Sequence, residues 1–358
     1  MKFALVSDAW KPQVNGVART LVALHDGLKA AGHDVFPLTP ALFRTVRCPT
    51  DREIRLAVAA RPRLTRLLEA LMPDAIHIAT EGPLGTAARK YCIKRNLHFT
   101  TAYHTKYPEY LKARFGLPMA WTYAILRRFH CRSSAIMVAT ETIRRELAEN
   151  GFDHLALWTR GVDIALFRPG CNPAVDLPPP VFLCVSRIAA EKDLPLFLDL
   201  DLPGSKLVVG DGHLLPEMKR RYPNAHFAGR QQGEALVQHY ASADVFVLPS
   251  RTETFGLVML EALACGVPVA ALPVPGPMDV IGDSGAGVLD WDLRAAALAA
   301  LNIRREICRS QAEQFSWQTS VEQFLSHVVP VRAPSIDAHS SISERDDDEP
   351  APANPTHP

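Results

Sequence analysis

The chain has 358 residues, more than a single hydrophobic core usually serves, so two domains are expected. Apolar residues make up 47% and charged residues 22%, the balance of a water-soluble globular protein. A net charge of +1 argues against a protein that coats a polyanion, and no nucleic-acid partner is expected.

The chain opens with a short apolar run, FALVS at 3–7, which predicts a strand. It is too short for a signal peptide and lacks a small-residue cleavage site. Leu21, Leu24 and Leu28 recur at helical spacing over about 17–31, with Gly32 as the stop. Further strands are predicted at 34–38, 75–79, 98–103 and 135–140, with helical patterns between them. Strand and helix in alternation imply a parallel sheet covered on both faces. Residues 171–180, CNPAVDLPPP, read as a linker, and the alternation then restarts. Strands are predicted at 181–187, 206–210, 225–229, 244–249 and 267–272, and helices at about 213–222, 233–241 and 255–264. The expected architecture is α/β, with two doubly wound, Rossmann-like domains facing each other across a cleft. The first covers 1–170 and the second 171–316. A last helix, about 317–330, is expected to pack back on the first domain. The polar, acidic, proline-rich tail 331–358 is expected to be disordered.

Seven cysteines, Cys48, Cys92, Cys131, Cys171, Cys184, Cys265 and Cys308, are widely spaced and form no CxxC pair. They read as reduced thiols, mostly packing residues, in a cytosolic protein. No run approaches the roughly 20 apolar residues of a spanning helix. The expected location is cytoplasmic, at most peripheral on the inner face of a membrane.

The most informative segment is SRTETFGLVMLEALACGVPVAA, 250–271. A strand ends at Pro249, a loop carries Glu253, and a helix starts near Phe255. Free N–H groups and the positive end of the helix dipole suit a diphosphate, and Gly256 permits close approach. Glu253 stands just outside the helix and Glu261 about two turns along it. Carboxylates accept well from vicinal hydroxyls, so a sugar and a ribose are natural partners.

ETFGLVMLE followed by ALACGVPV resembles the donor-binding signature of family-four retaining glycosyltransferases of the GT-B fold. KPQVNGVART (11–20), AYHTKYPEY (102–110), RGVDIALF (160–167), SRIAAEKDLP (186–195) and VVGDGH (208–213) resemble the same family in order, over about residues 1–330. The resemblance implies that Arg187 and Lys192 bind the donor diphosphate, a role that suits a leaving group gaining negative charge. It places Glu253 beside the transferred sugar's hydroxyls and Glu261 on the nucleotide ribose. The amides of Phe255, Gly256 and Leu257 fall under the phosphate. His104 is implied to contact the donor sugar and support the transition state, not to act as general base. Gly16 matches the glycine that lets the first loop approach donor and acceptor, and Gly210 and Gly212 match a turn near the nucleotide base. Asp8 is a weaker candidate, and Arg160 and Asp163 read as mainly structural, near the domain junction.

No DxD stands at a strand end, and Asp346–Asp348 lie in the tail, so no metal site is expected. No GxGxxG follows the first strand, which argues against a nicotinamide cofactor. No cofactor is expected beyond the nucleotide-diphosphate sugar itself. The first half looks most similar to bacterial GDP-mannose-dependent α-mannosyltransferases, which implies mannose as the sugar and a lipid or glycan as acceptor. UDP-glucose or UDP-glucuronate glycolipid synthases, a sugar-nucleotide 2-epimerase and a non-catalytic nucleotide-sugar-binding protein stay open. Residues 105–132 mix Lys106, Lys112, Arg114, Arg127, Arg128 and Arg132 with Tyr107, Tyr110, Leu111, Phe115, Leu117, Trp121, Tyr123 and Phe129. That mixture suits an anionic membrane surface, though it also fits an amphipathic core helix with a solvated face.

Overall fold

A computed structural model describes residues 1–13, 15–48 and 54–332. The first sheet is built from β1 (Lys2–Val6), β2 (Asp34–Leu38), β5 (Ala75–Ile78), β6 (Thr100–Tyr103), β7 (Ala135–Val138) and β8 (Leu155–Leu157). A short antiparallel ribbon, β3 (Thr45–Arg47) with β4 (Arg55–Ala57), stands apart from it. The helices of this half are α1 (Gly16–Ala30), α2 (Ala60–Leu71), α3 (Pro83–Lys94), α4 (Tyr107–Phe115), α5 (Met119–His130) and α6 (Glu141–Glu149). The second sheet holds β9 (Val181–Val185), β10 (Ser205–Val209), β11 (His226–Gly229), β12 (Val245–Leu248), β13 (Val269–Ala271) and β14 (Gly287–Leu289). Its helices are α7 (Leu194–Leu198), α8 (Leu215–Arg221), α9 (Gly233–Ala241), α10 (Leu257–Ala264), α11 (Pro277–Val280), α12 (Leu293–Ala300) and α13 (Arg305–Ala312), and α14 (Trp317–His327) follows.

Every pairing inside the two large sheets is parallel. Parallel strands need covered faces, and the strands β1, β5, β7, β9 and β12 are accordingly near-continuous buried apolar runs, while β6, TTAY, is buried as well. Pro37 lies in β2, which is an edge strand, where a missing N–H costs no ladder bond.

The two sheets differ in order. The second runs β11-β10-β9-β12-β13-β14, the dinucleotide-binding arrangement, with its topological switch between β9 and β12. The first runs β2-β1-β5-β6-β7-β8, with its switch between β1 and β5. Ligands bind beyond the carboxyl ends of strands at such points. The segments after β9 and β12 carry Arg187 and Glu253, and the segment after β6 carries His104.

Helix α14 returns to the first sheet. Val321 on it packs against Gly27 of α1, and Ser320 Oγ accepts from Trp158 Nε1 at 3.0 Å. Among the described residues no helix is long and apolar enough to cross a membrane. From residue 333 onward the tail expected over 331–358 lies outside the described residues.

Candidate active site

Strand β9 ends in a turn that carries Arg187, and a short 3-10 segment, Ala190–Lys192, follows it. Gly210 and Gly212 support this turn from the end of β10. A Cβ on Gly210 would strike the Ser186 carbonyl, and one on Gly212 the Ile188 carbonyl. Ile188 N donates to Asp211 O at 2.8 Å, fastening the two loops together. The absence of side chains at 210 and 212 therefore serves the loop that bears Arg187.

Lys192 Nζ lies 2.5 Å from Glu253 Oε1. Burial pushes the Glu253 carboxyl up, but the Lys192 ammonium and the Ser250 hydroxyl outweigh it, leaving its pKa below the ordinary value. Glu253 therefore stands as a carboxylate, 8% exposed, at the switch point of the second sheet. Arg187 pairs with Glu191 four residues on.

Phe255 is buried, edge-on to Phe315 at 6.0 Å. The helix expected from Phe255 begins two residues later, at Leu257, because Gly256 takes φ +86° as its N-cap. That left-handed conformation suits glycine, and a Cβ there would press on Met259. Across the cleft Gly16, the first residue of α1, faces this point, with Leu257 Cδ1 3.9 Å from where a Cβ would stand. Two helix N-termini, both positive dipole ends, thus converge from opposite domains.

Glu261 is 2% exposed and already engaged. Tyr240 Oη donates to its Oε2 at 3.0 Å, and Arg19 of α1 forms an ion pair with its Oε1. Arg19 is a partner from the other domain that the motif alone did not single out.

His104 follows β6, and its carbonyl accepts from Thr254 Oγ1 at 3.0 Å. His104 is half-buried, its imidazole edge-on to Trp158 at 5.7 Å and its Nε2 shielded from solvent. Arg160 Nη2 lies 3.2 Å from His104 Nδ1, and no described residue meets Nε2. Burial, then the Arg160 charge, then His77 push the His104 pKa well below the usual histidine range. Arg160, expected to be mainly structural, thus touches the candidate site directly. Asp163 does behave structurally, accepting from the amides of Ala165 and Leu166 at 3.0 Å. Asp8 likewise accepts from the amides of Leu84 and Gly85 at the start of α3, and burial raises its pKa.

The structure therefore links His104 to the Glu253–Lys192 pair through Thr254. Gly16 approaches Leu257, and Arg19 three residues on pairs with Glu261. Gly210 and Gly212 lie one layer back, behind the Arg187 turn.

Residues 14–166 match the model of Glycosyltransferase Family 4, and residues 179–304 match that of Glycosyl transferases group 1. The chain is a glycosyltransferase. This glycosyltransferase is 28% identical to a GDP-mannose-dependent alpha-mannosyltransferase of Mycobacterium tuberculosis, over 93% of the chain and 97% of that protein. It is 29% identical to a GDP-mannose-dependent alpha-mannosyltransferase of Corynebacterium glutamicum, over 93% of the chain and 90% of that protein. It is also 29% identical to the sulfoquinovosyl transferase SQD2 of Arabidopsis thaliana, over 77% of the chain and 60% of that protein. Its backbone superposes on sucrose-phosphate synthase of Thermosynechococcus elongatus with a TM-score of 0.73 at 20% identity, covering 91% of the glycosyltransferase and 97% of that chain. On Anabaena HepE in complex with UDP and glucose the TM-score is 0.68 at 14% identity, covering 91% and 98%. The α/β fold with two parallel sheets is that of GT-B glycosyltransferases.

Proposed function

We propose that this glycosyltransferase moves mannose from GDP-mannose to a lipid or glycan acceptor, with retention at the anomeric carbon and without a metal ion. The observation that carries the reading is the Lys192–Glu253 pair at the second sheet's switch point, joined through Thr254 to His104 of the first domain. Lys192 and Arg187 supply the positive charge that a departing nucleoside diphosphate needs. The converging N-termini of α1 and α10 add amide donors from both sides. Glu253 receives sugar hydroxyls, and Glu261 receives the ribose. The acceptor oxygen attacks C1 on the face from which the diphosphate leaves, as the C1–oxygen bond to phosphate breaks. The acceptor's proton passes to the leaving phosphate oxygen. The charge that develops is oxocarbenium-like, and the protein's part is orientation and charge stabilisation.

The mannosyltransferase relatives support the choice of donor. A UDP-glucose-dependent glycolipid synthase is the second reading, favoured by the relatives named alpha-monoglucosyldiacylglycerol synthase. Binding to the folded state raises the melting temperature, so a thermal-shift panel of GDP-, UDP- and ADP-sugars separates the two readings. A GDP-mannose-selective shift, with α-mannoside product by NMR, is expected. A shift with UDP-glucose alone, or free sugar released without acceptor, would remove the mannosyl reading.

The acceptor side of the reading includes an anionic membrane on which the first domain rests. Residues 1–170 hold 25 Lys and Arg against 14 Asp and Glu, a formal +11, while residues 171–358 hold 14 against 24, a formal −10. A surface groove of roughly 380 Å³ between α2 and α3 is lined by Arg61, Lys90, Lys94 and Arg95 among others. On α5 the inward face is Thr122, Tyr123, Leu126 and His130, while Trp121 and Ile125 are 68% and 69% exposed. The outer face of this helix therefore sets two large apolar side chains beside the exposed Arg128. Lys106 does not belong to it, being buried with Glu146 at 2.8 Å, and Tyr123 is likewise buried.

A further inference from the structure

We propose that Arg160 is a positioning residue that fixes His104 as its Nε2–H tautomer, so that this imidazole meets the donor sugar as a hydrogen-bond donor. The inference rests on the reading of His104 as a sugar contact, and it adds which way that contact runs.

A guanidinium carries five N–H donors and no acceptor. At 3.2 Å from Arg160 Nη2, His104 Nδ1 has therefore to accept, and in a neutral ring the proton then sits on Nε2. Nε2 is the ring atom without a partner among the described residues, and it is buried. A buried donor of this kind is costly to leave unmade, which marks it for a ligand oxygen.

The arrangement is the reverse of one built for base catalysis. A carboxylate at Nδ1 would draw the proton there, leave Nε2 as acceptor and stabilise the imidazolium. Arg160 opposes all three. It is 3% exposed, and no carboxylate among the described residues comes within ion-pair distance of it. Burial lowers its pKa to about 9, so its charge is still in place at neutral pH. The titratable groups acting on His104 are Arg160 and His77 of β5, and His77 is itself held neutral, its pKa pushed down to about 3 by burial and then by Arg160. Neither favours a second positive charge, so His104 stays a neutral donor.

Arg160 is itself held from several directions. Its guanidinium lies 4.1 Å over the Trp158 ring, and Nη1 donates to the carbonyls of Trp158 and Thr159 at 2.5 and 3.2 Å. Trp158 and Thr159 are pinned in turn by Ser320 and Gln323 of α14. The returning helix thus reaches the sugar site through Arg160 and His104. A residue serving only the domain junction could be satisfied by carbonyls; here one arm of the fork is spent on the imidazole.

The test is long-range 1H–15N correlation of the full chain labelled with 15N-histidine, with His104 assigned by its disappearance in His104→Asn. The Nε2–H pattern is expected, unchanged from about pH 6 to pH 8. An Nδ1–H pattern, or an imidazolium titrating near the ordinary histidine value, would overturn the proposal. In Arg160→Met, the His104 signals should become a mixture of tautomers and its titration should move up towards the ordinary range; unchanged signals would count against it. Should that variant fail to fold, the wild-type spectrum still decides, and Arg160→Lys gives the milder comparison. Kinetically, Arg160→Met should lower kcat by about tenfold, the worth of one hydrogen bond, with little change in donor KM. It should add nothing further in a His104→Asn background; additive losses would show that Arg160 acts by another route. Undiminished kcat in His104→Asn alone would remove the sugar contact while leaving the tautomer as the spectrum placed it.

Discussion

At the scale of single residues, the candidate cations are already paired with carboxylates before any donor arrives. Lys192 holds Glu253 and Arg187 holds Glu191. Lys192→Met would leave the buried Glu253 carboxylate without its counter-charge, a loss of about 3 kcal/mol, taken low because Lys192 is partly exposed. The Glu253 pKa is depressed in the folded protein, so the pair's stability is present above the unfolded carboxyl value and is lost as pH falls through the folded one. Melting curves should therefore show Lys192→Met well below wild type at neutral pH and converging with it as pH falls below the ordinary carboxyl range. A constant gap would mean that Glu253 does not feel Lys192. Turnover in this variant should fall by about 100-fold, as for loss of one transition-state donor. Glu253 and Glu261 were legible in the sequence because one motif holds them at fixed spacing along a loop and helix, and Lys192 because it lies in a second motif, SRIAAEKDLP. Tyr240 and Trp158 were not, since each reaches the site by tertiary packing, and Arg19, though part of KPQVNGVART, shows its contact with Glu261 only once α1 and α10 meet. Arg160 was visible as part of RGVD, but its contact with His104 depends on β6 and the segment after β8 lying side by side.

At the scale of elements, strands set in apolar runs were legible, including the three-residue β13 within 267–272, whereas most other three-residue strands were not. The expected strands at 34–38, 75–79 and 135–140 correspond to β2, β5 and β7 with small changes at their ends. The ribbon β3–β4 and the edge strands β8 and β14 are each only three residues long, and pairing with neighbours defines them. Helix α5 shows a different limit. Its composition left core and surface roles open, and only packing separates the buried Tyr123 and Leu126 from the exposed Trp121 and Ile125. An exposed apolar pair one turn apart, on a strongly basic domain, matches the chemistry of an anionic bilayer surface. Co-sedimentation with phosphatidylglycerol vesicles is expected, falling with salt and absent on phosphatidylcholine alone. Trp121→Ala with Ile125→Ser should weaken it by about tenfold or more while leaving the melting temperature near wild type, since both side chains are outside the core. Equal binding by wild type and the double variant would dismiss α5 as the contact.

At the scale of the whole molecule, the two halves carry opposite formal charge, and polar contacts link the two domains alongside the apolar packing of α14. Thr254 meets the His104 carbonyl, Thr142 N donates to Asp279 Oδ1 at 3.0 Å, and Arg19 pairs with Glu261. The last of these places a first-domain cation on the carboxylate that the proposed function reserves for ribose. Closure of the cleft is thus partly electrostatic in the absence of donor. The Arg19 side chain is 40% exposed, which limits the pair to about 1 kcal/mol through solvent screening. That is still enough to shift an open–closed balance about fivefold. Small-angle scattering of nucleotide-free Arg19→Met should give a larger radius of gyration than wild type. Added salt should expand the wild type more than the variant, because screening removes an attraction the variant has already lost. A nucleoside diphosphate bridging both helix N-termini should return the variant to the wild-type radius, since those amides do not depend on Arg19. If wild type and variant scatter identically at every salt concentration, the ion pair contributes nothing to closure, and Thr254, Thr142 and the opposed charges of the two halves hold the cleft without it.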